Sequence, residues 1–421
     1  MHRIIAAVLA ATSCVAIAQA QEINEAQHSE GPVFTLDQAV VAAGGSAPAA
    51  EAAEAGVRAA EAARTVAGLR PNPQVQSQIE NVAGSGLYRG LRQAETTVGV
   101  SLPIELGGKR SARIAVADAQ TQRALLLSAI TQADIRVQVT QLYIDALAAE
   151  RRLITARDQL RIAQEALNAA KVRVQAGRAS PIEEQRADVA RLNAQAGRER
   201  AQRLVEAARA NLARRIGQPV TGELDIAALD RLPPSTYGPA VATSAGTLAL
   251  AAAEADLAVA DAGVRLARSQ RVPDLTIGPA IRRLEATNDT VAVFSLSIPI
   301  PLFNFGKAAV AQASAERSRA EAQRRVTALD VEQAITDAQA EADNAATTAR
   351  NANGPALAAA REAARIARIG YHEGKFGQLD LLDAERTLAD TRLAAIDALA
   401  AYQNAKARLE RLTAPAPQQG N

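Results

Sequence analysis

Side chains that could carry out chemistry are few in this 421-residue sequence. It contains three histidines, one cysteine, one methionine and no tryptophan. Two of the histidines, His28 and His372, lie far apart in the chain, and the cysteine is Cys14. A histidine-based catalytic triad or a multi-histidine metal site needs more such groups than one chain of this composition supplies. The inventory therefore argues against an enzyme, a bound cofactor and a resident metal site.

The pair Asp380 and Asp383 is the clearest pattern of charged groups. A spacing of three places both carboxylates on one face of a helix. Leu379, Leu381 and Leu382 around them are assigned to helix packing, so the acidic face is directed at solvent or at an enclosed channel. Near the start of a helix, the same carboxylates also complement the positive end of the helix dipole. Both interpretations stay open at this point.

Glycines mark the sharpest predicted turns. Gly177 and Gly374 each follow a long helix, and glycine permits the left-handed backbone that reverses one. Gly107 and Gly108 follow a strand and precede a helix, as phosphate-binding loops do, but no Gly-Lys-Ser/Thr pattern comes after them. We therefore interpret Gly107 and Gly108 as a strand-to-helix corner.

Charge and targeting signals indicate an exported protein that does not bind nucleic acid. The 47 Lys and Arg residues are interleaved with 45 Asp and Glu residues, which leaves no basic stripe for a phosphate backbone. Residues 1–20 read as a secretory signal with Ala18-Gln19-Ala20 as its cleavage pattern. The segment Ala11 to Cys14 also resembles a lipoprotein acylation box, which would instead anchor the chain at Cys14. No later segment is long and apolar enough for a transmembrane helix.

The chain repeats itself at a period of roughly 200 residues, much longer than a solenoid unit. The segment Ser101-Leu102-Pro103-Ile104 corresponds to Ser297-Ile298-Pro299-Ile300 in the second half. Each half reads as helix, two strands, long helix, tight turn and helix. The predicted division is a signal peptide at 1–20, a first repeat at 21–216, an equatorial linker at 217–240, a second repeat at 241–412 and a disordered tail at 413–421.

Alternation predicts two strands in each repeat, at about 74–83, 95–103, 274–282 and 290–299. Val75 and Ile79 of the first strand fall on one face, which we expect to contact lipid. Strands of about ten residues suit a tilted crossing of a bilayer, but four strands cannot close a barrel without other copies of the chain. Aromatic residues beside these hairpins suit an interfacial girdle; they are Tyr88, Phe294, Phe303 and Phe305. The polar residues of the first strand, which we expect to line the barrel lumen, are Gln74, Gln76, Gln78 and Glu80.

The long helices carry coiled-coil spacing. Residues 109–175 contain no proline or glycine, which predicts a rod of about 100 Å. The last helix carries two apolar seams, one with Leu379 and Leu393 and another with Leu381 and Leu388. Two seams require two neighbours, which favours a ring of helices over a dimeric coiled coil.

Several motifs stand in a fixed order along the chain. They are Leu69-Arg70-Pro71-Asn72-Pro73 before the first strand, Leu102 to Arg110 (LPIELGGKR) after the second, and Tyr371 to Glu385 at the final turn. With the two tandem repeats, these motifs resemble the TolC-type outer-membrane efflux proteins. The Pro-Asn-Pro and Glu-Leu-Gly-Gly-Lys-Arg segments are most similar to the branch that serves cobalt-zinc-cadmium-type heavy-metal efflux systems of the resistance-nodulation-division (RND) class.

The resemblance implies a mainly α fold with a small β part. Three copies would each give four strands to a twelve-stranded outer-membrane β-barrel in contact with lipid, continued by a periplasmic α-helical coiled-coil barrel. The function implied is a passive exit duct for heavy-metal cations, supplied by an inner-membrane RND pump through a periplasmic adaptor.

The resemblance also implies roles for the two helix-reversing turns. Adaptor docking falls on these periplasmic tips, with Gly177, Arg178, Ser180, Gly374 and Lys375 as candidate residues. Trimerisation would gather Asp380 and Asp383 into acidic rings at the periplasmic aperture. Two other functions stay open: a periplasmic coiled-coil adaptor or scaffold without a pore, and an outer-membrane channel for small organic compounds.

Overall fold

The structure, a computed structural model, describes residues 33–233 and 242–417. The predicted signal peptide and Cys14 lie outside these residues. The first repeat has a capped start, since Thr35 Oγ1 accepts from Gln38 N–H while Gln38 Oε1 accepts from Thr35 N–H. Its elements are α1 (Leu36–Ser46), α2 (Pro48–Ala67), β1 (Gln74–Glu80), β2 (Glu95–Ile104), α3 (Lys109–Gln175) and α4 (Pro181–Ile216).

The second repeat follows the same order, but its long helix is interrupted. A π-helical segment, Ala352–Ala356, contains Pro355 and the non-helical Gly354, and it separates α6 from α7. Proline lacks the N–H that an α-helix needs at this place, and a local π turn accommodates the gap. The elements are α5 (Leu248–Ser269), β3 (Leu275–Leu284), β4 (Asp289–Ser297), α6 (Lys307–Asn351), α7 (Leu357–His372) and α8 (Gln378–Leu412).

Two sequence predictions need correction. The first strand ends at Glu80 rather than near residue 83, because Asn81 takes a left-handed backbone with φ of 59°. The segment 413–417 is not disordered, because it pairs with the start of the second repeat. Leu248 N–H donates to Ala414 O at 3.1 Å, and Ala416 N–H donates to Gly246 O at 2.8 Å.

One sheet joins the two repeats. In the described residues its order is β1-β2-β3-β4, and every neighbouring pair is antiparallel. The central contact, β2 with β3, brings together strands from different repeats. Strands β1 and β4 each pair on one side only within this part of the chain, so the sheet has two open edges.

The helices pack against one another around the long helix α3. Helix α3 contacts α4, α2, α5 and α8, and α8 in turn contacts α6 and α7. About half of the buried hydrophobic residues are alanine, which lets the helices approach closely, and large side chains such as Leu147 and Leu212 fill the space between them. At mid-height Tyr143 is fully buried, and its hydroxyl donates to Phe34 O at 2.7 Å and accepts from Asp225 N–H at 3.1 Å. These bonds fasten the first described residues and the linker to α3.

The two seams predicted on α8 differ in burial. Leu381 and Leu388 are buried within the chain, whereas Leu379 and Leu393 remain exposed. The chain itself therefore covers one seam and leaves the lower part of the other uncovered.

Candidate functional site

The strand register separates a polar face of the sheet from an apolar one. Gln76 of β1 lies opposite Gly99, and Gln78 lies opposite Thr97. On the other face Val75 lies opposite Val100, close to the middle of β2. Side chains alternate along a strand, so one face holds all four residues that we predicted to line the lumen: Gln74, Gln76, Gln78 and Glu80.

The aromatic residues are not all at the ends of the sheet. Tyr88 lies in the loop between β1 and β2, while Phe303 and Phe305 lie between β4 and α6. Phe294, however, pairs with Pro279 well inside the sheet. Phe294 therefore lies within the β3–β4 ladder rather than at its end, and its place in an interfacial girdle stays a prediction.

An arginine missed by the sequence analysis connects the polar face. Arg282 of β3 donates from Nη1 to Glu95 Oε2 at 2.8 Å and from Nε to Thr97 Oγ1 at 2.9 Å. Its Nη2 also lies 3.4 Å from Glu80 Oε2. The three strands are separated in sequence, so only the register between repeats brings these charges together.

The corner between β2 and α3 is built on two glycines with left-handed backbone. Gly107 has φ of 71° and Gly108 has φ of 73°, as the corner prediction requires. A Cβ at Gly107 would lie 2.6 Å from Val272 Cβ and 2.9 Å from Ser269 O. The close approach of the second repeat therefore demands glycine at position 107.

Two ion pairs fix this corner. Arg113 holds Glu105 with two hydrogen bonds, one of them from Nη2 to Oε2 at 3.0 Å. Asp274 Oδ1, which belongs to the second repeat, accepts from Lys109 Nζ at 2.7 Å and from Leu106 N–H at 3.1 Å. The direction in which the helices leave the sheet is thus set by contacts between the repeats.

The Glu105 pair predicts a pH dependence of stability. The hydrogen bond from Arg113 lowers the pKa of Glu105 below its ordinary value of 4.5. A carboxyl whose pKa is lowered by folding stabilises the folded state above that ordinary value and loses the contribution as pH falls through the folded pKa. We expect Glu105→Gln to reduce the free energy of unfolding at pH 7 by about 1–2 kcal/mol.

Thermal unfolding followed by circular dichroism checks this prediction. The difference between wild type and Glu105→Gln should shrink as the pH drops below 4.5. A difference that stays constant from neutral to acidic pH would show that the charge of Glu105 contributes nothing.

The two helix-reversing turns lie side by side. Gly177 and Gly374 have φ of 68° and 73°, as predicted for residues that reverse a helix. Gln378 at the start of α8 donates to Glu183 O of α4 at 3.0 Å, which joins the second turn to the first. Among the predicted tip residues, Ser180 caps α4, while Arg178 and Lys375 are exposed.

The predicted acidic pair occupies the first turns of α8. Asp380 Oδ2 accepts from Gly377 N–H at 3.0 Å, so this carboxylate caps the helix. Both Asp380 and Asp383 are exposed, and within the described residues neither forms an ion pair. The capping interpretation holds for Asp380, and Asp383 has no contact of this kind in the described part of the chain.

A groove of about 2020 Å³ runs upward from the turns between α4 and α8, with α3 as its floor. Its walls combine apolar residues, including the exposed Leu379 and Leu393, with many arginines. At its edge Arg368 of α7 donates from Nη2 to Glu385 Oε2 at 2.8 Å. Glu385 is only 4% exposed and was missed, although its spacing of four from Leu381 and three from Leu388 places it in a buried seam.

The described part of the chain has neither a candidate metal site nor a membrane-spanning helix. The described ranges contain no group of three or more His, Cys, Asp and Glu side chains placed to hold a metal ion. Among the helices of these ranges, none combines the length and the apolar character needed to cross a membrane.

Two helix-hairpin-helix repeats that share one sheet define a subunit of the TolC-like outer-membrane channels. The sequence matches the outer membrane efflux protein family at residues 40–218 and 243–414. The chain belongs to this family, and it is an efflux protein of the outer membrane.

Known relatives support the assignment. The cobalt-zinc-cadmium resistance protein CzcC of Cupriavidus metallidurans is 30% identical, over 92% of this chain and 91% of the relative. The fold is shared with the outer membrane protein VceC of Vibrio cholerae, at 18% identity, a TM-score of 0.71 and coverage of 90% of this chain and 96% of that one. It is shared also with the Neisseria gonorrhoeae MtrE channel, at 21% identity, a TM-score of 0.72 and coverage of 90% and 88%.

Proposed function

We propose that three copies of this chain form the exit duct of a tripartite RND efflux system. Substrate passes from an inner-membrane pump through a periplasmic adaptor into the duct, and diffuses through it to the exterior. The duct performs no chemistry on its cargo, and the membrane part is a barrel of about twelve strands.

The open sheet carries this proposal. In the described residues, β1 and β4 each leave one edge unpaired, while the apolar face exposes residues such as Val75 and Phe294. Unpaired strand edges are not tolerated in lipid, and about eight strands are the minimum for closure. Copies of the same chain supply the missing strands when β4 of one pairs with β1 of the next. The polar face, with Gln76 and Arg282, then lines the lumen.

Conductance tests the duct against the alternative of a pore-free adaptor. Purified full-length protein added to a planar bilayer should give discrete channel openings, and electron microscopy in detergent should show trimers. A dimeric or monomeric particle without conductance would favour the adaptor instead.

Heavy-metal cations are the proposed cargo. Support comes from CzcC, whose name assigns it to cobalt, zinc and cadmium resistance and which aligns with nearly all of this chain. A passive duct needs no ligand set of its own, so specificity rests with the pump. Cells that lack this chain should become sensitive to divalent cobalt, zinc or cadmium. Sensitivity confined to organic compounds would favour the other open function, a channel for small organic molecules.

Asp380 and Asp383 are proposed to form the acidic rings of the periplasmic aperture. Their exposure at the tip of α8 leaves the carboxylates free to meet copies from neighbouring subunits. We expect the double variant Asp380→Ala/Asp383→Ala to lose block by divalent or trivalent cations added from the periplasmic side, as seen in single-channel recordings. Asp390→Ala, an exposed acid two turns higher on α8, is the matched control. Undiminished cation block in the double variant would leave Asp380 with its capping role alone.

The two turns are proposed as the adaptor-docking tips. The candidate contacts Arg178 and Lys375 are exposed there, and Gly177 and Gly374 shape the backbone that presents them. We expect cysteines placed at Arg178 or Lys375 to cross-link in cells to a cysteine-bearing adaptor, whereas a cysteine at the exposed Arg89 of the far loop should not. Absence of cross-links at either tip, with the adaptor present, would remove this role.

A further inference from the structure

Basic residues stand at all four places where a strand meets a helix. They are Arg70 before β1, Arg110 at the start of α3, Arg271 before β3 and Lys307 at the start of α6. We call these four residues the basic junction surface. All four are exposed, and they come from four separate segments of the chain.

Their charges are not neutralised within the chain. The two nearby carboxylates are already engaged, since Glu105 pairs with Arg113 and Asp274 pairs with Lys109. Within the described residues, no carboxylate lies within ion-pair distance of any member of the basic junction surface. The segments that connect sheet and helices therefore carry an excess of positive charge.

Helix stability does not account for this placement. Both α3 and α6 begin with basic residues and have no acidic residue in the first turn. The positive end of a helix dipole disfavours cations at that position. The pattern recurs at both long helices, against the local electrostatic preference. Two of the four have backbone partners, since Arg110 Nε donates to Gly68 O at 2.6 Å and Arg271 Nε donates to Phe305 O at 3.2 Å, but these neutral carbonyls leave the positive charges uncompensated.

Exposed apolar side chains accompany the charges. Leu69 precedes Arg70, Val272 follows Arg271, and Phe305 lies two residues before Lys307; all three apolar residues are exposed. Phe303 in the same connection is 99% exposed. A border of apolar and aromatic residues next to long cationic side chains is typical of the interface between lipid tails and headgroups.

The opposite end of the sheet is different. Across residues 80–95 and 282–289, four basic residues are matched by four acidic ones: Arg89, Arg92, Arg282 and Arg283 against Glu80, Glu95, Glu285 and Asp289. Excess positive charge is therefore confined to the helix end of the sheet. Because only one end of the sheet carries the excess charge, the basic residues point to a partner at one side of the membrane and not to a general enrichment of basic residues along the barrel.

We propose that the basic junction surface binds the phosphate groups of anionic phospholipids in the periplasmic leaflet of the outer membrane. The exposed apolar neighbours contact the acyl chains, and Arg70, Arg110, Arg271 and Lys307 contact the headgroups. Each cation near an anionic lipid surface strengthens attachment, so four per chain act together. The choice of leaflet rests on the orientation proposed above, with the helices on the periplasmic side.

The test compares two charge-matched double variants of the full-length protein. Arg70→Gln/Lys307→Gln removes two junction cations whose side chains form no hydrogen bond or ion pair in the described residues. Arg89→Gln/Arg92→Gln removes two exposed cations from the far loop and is the control. Dioleoyl-phosphatidylglycerol is titrated into protein held in a neutral detergent, and the rise in thermal unfolding temperature gives an apparent dissociation constant.

We expect the junction variant to bind phosphatidylglycerol about thirtyfold more weakly than wild type, while the control stays within about twofold. Phosphatidylcholine should give the same small effect with all three proteins. Equal binding by wild type and the junction variant would overturn the proposal, as would equal weakening in both variants. Stabilisation by soluble glycerol phosphate equal to that by the lipid would identify a free anion site instead. If the protein gave no conductance but still bound phosphatidylglycerol through the basic junction surface, the duct proposal would fail while the lipid proposal would stand.

Discussion

Val75→Arg is expected to abolish assembly in the outer membrane, whereas Gln76→Arg, one residue away, is expected to assemble. Val75 is 79% exposed on the apolar face and lies opposite Val100 near the middle of the sheet. A charged side chain facing lipid at mid-bilayer costs about 2–4 kcal/mol in each subunit. Gln76 points to the polar face, where an added arginine meets water.

Fractionation and heat-modifiable gel migration of the two variants measure this difference. Gln76→Arg should also change the ion selectivity of single channels, since its charge is added to the lumen in every subunit. The reverse tolerance, with Val75→Arg assembled and Gln76→Arg lost, would show that the faces are assigned the wrong way round.

Gly107→Ala is expected to lower the thermal unfolding temperature far more than Gly108→Ala. Both positions have a left-handed backbone, which costs a non-glycine residue about 1–2 kcal/mol. At Gly107 the new methyl group also meets Val272 and Ser269, and such overpacking adds about 1–3 kcal/mol. At Gly108 the nearest atom to the new Cβ among the described residues, outside the adjoining backbone, is Ser111 Oγ at 3.3 Å, in a side chain that can rotate.

Circular dichroism melting of the two variants therefore isolates the steric contribution. Equal decreases in unfolding temperature for the two variants would mean that Val272 moves aside at no cost. The close contact at Gly107 would then not determine how the two repeats pack. The combined variant Gly107→Ala/Val272→Gly should be less destabilised than the sum of the two single variants, because it removes Val272 Cβ and Cγ2 and leaves Ser269 O as the remaining close contact.

The sequence was sufficient to predict the features that depend on local periodicity, namely the strand faces, the strand-to-helix corner and the helix-reversing turns. Alternation around Val75 and Ile79 predicted the two faces of β1, and the motifs around Gly107 and Gly108 predicted both the corner and the family. These features follow from residues close together in the chain. For the same reason the helix-reversing roles of Gly177 and Gly374 were correctly predicted.

Contacts between the repeats could not be predicted in this way. Arg282 meets Glu80 and Glu95 only because β2 and β3 pair in one particular register, and no local pattern defines that register. The pairing of residues 413–417 was missed for the same reason, since their alanine- and proline-rich composition gives no sign of a partner near Thr247. The position of Phe294 along the sheet likewise depended on its pairing with Pro279 in β3.

The interruption at Gly354 and Pro355 affects which face of the second long helix is buried on either side of it. Gly354 has a non-helical backbone, so α6 and α7 are not one continuous α-helix and the spacing of buried residues starts afresh after the interruption. Helix α6 contacts α5 and α8 and ends its buried series with Ala342, Ala346 and Ala349, whereas α7 contacts α8 through a new series that begins at Leu357, Ala360 and Ala364. The long helices of the two repeats correspond to each other, but in the described residues only α3 runs without interruption along its full length. An insertion or deletion of one residue within 352–356 would rotate the face that α7 packs against α8 and would leave the packing of α6 unchanged.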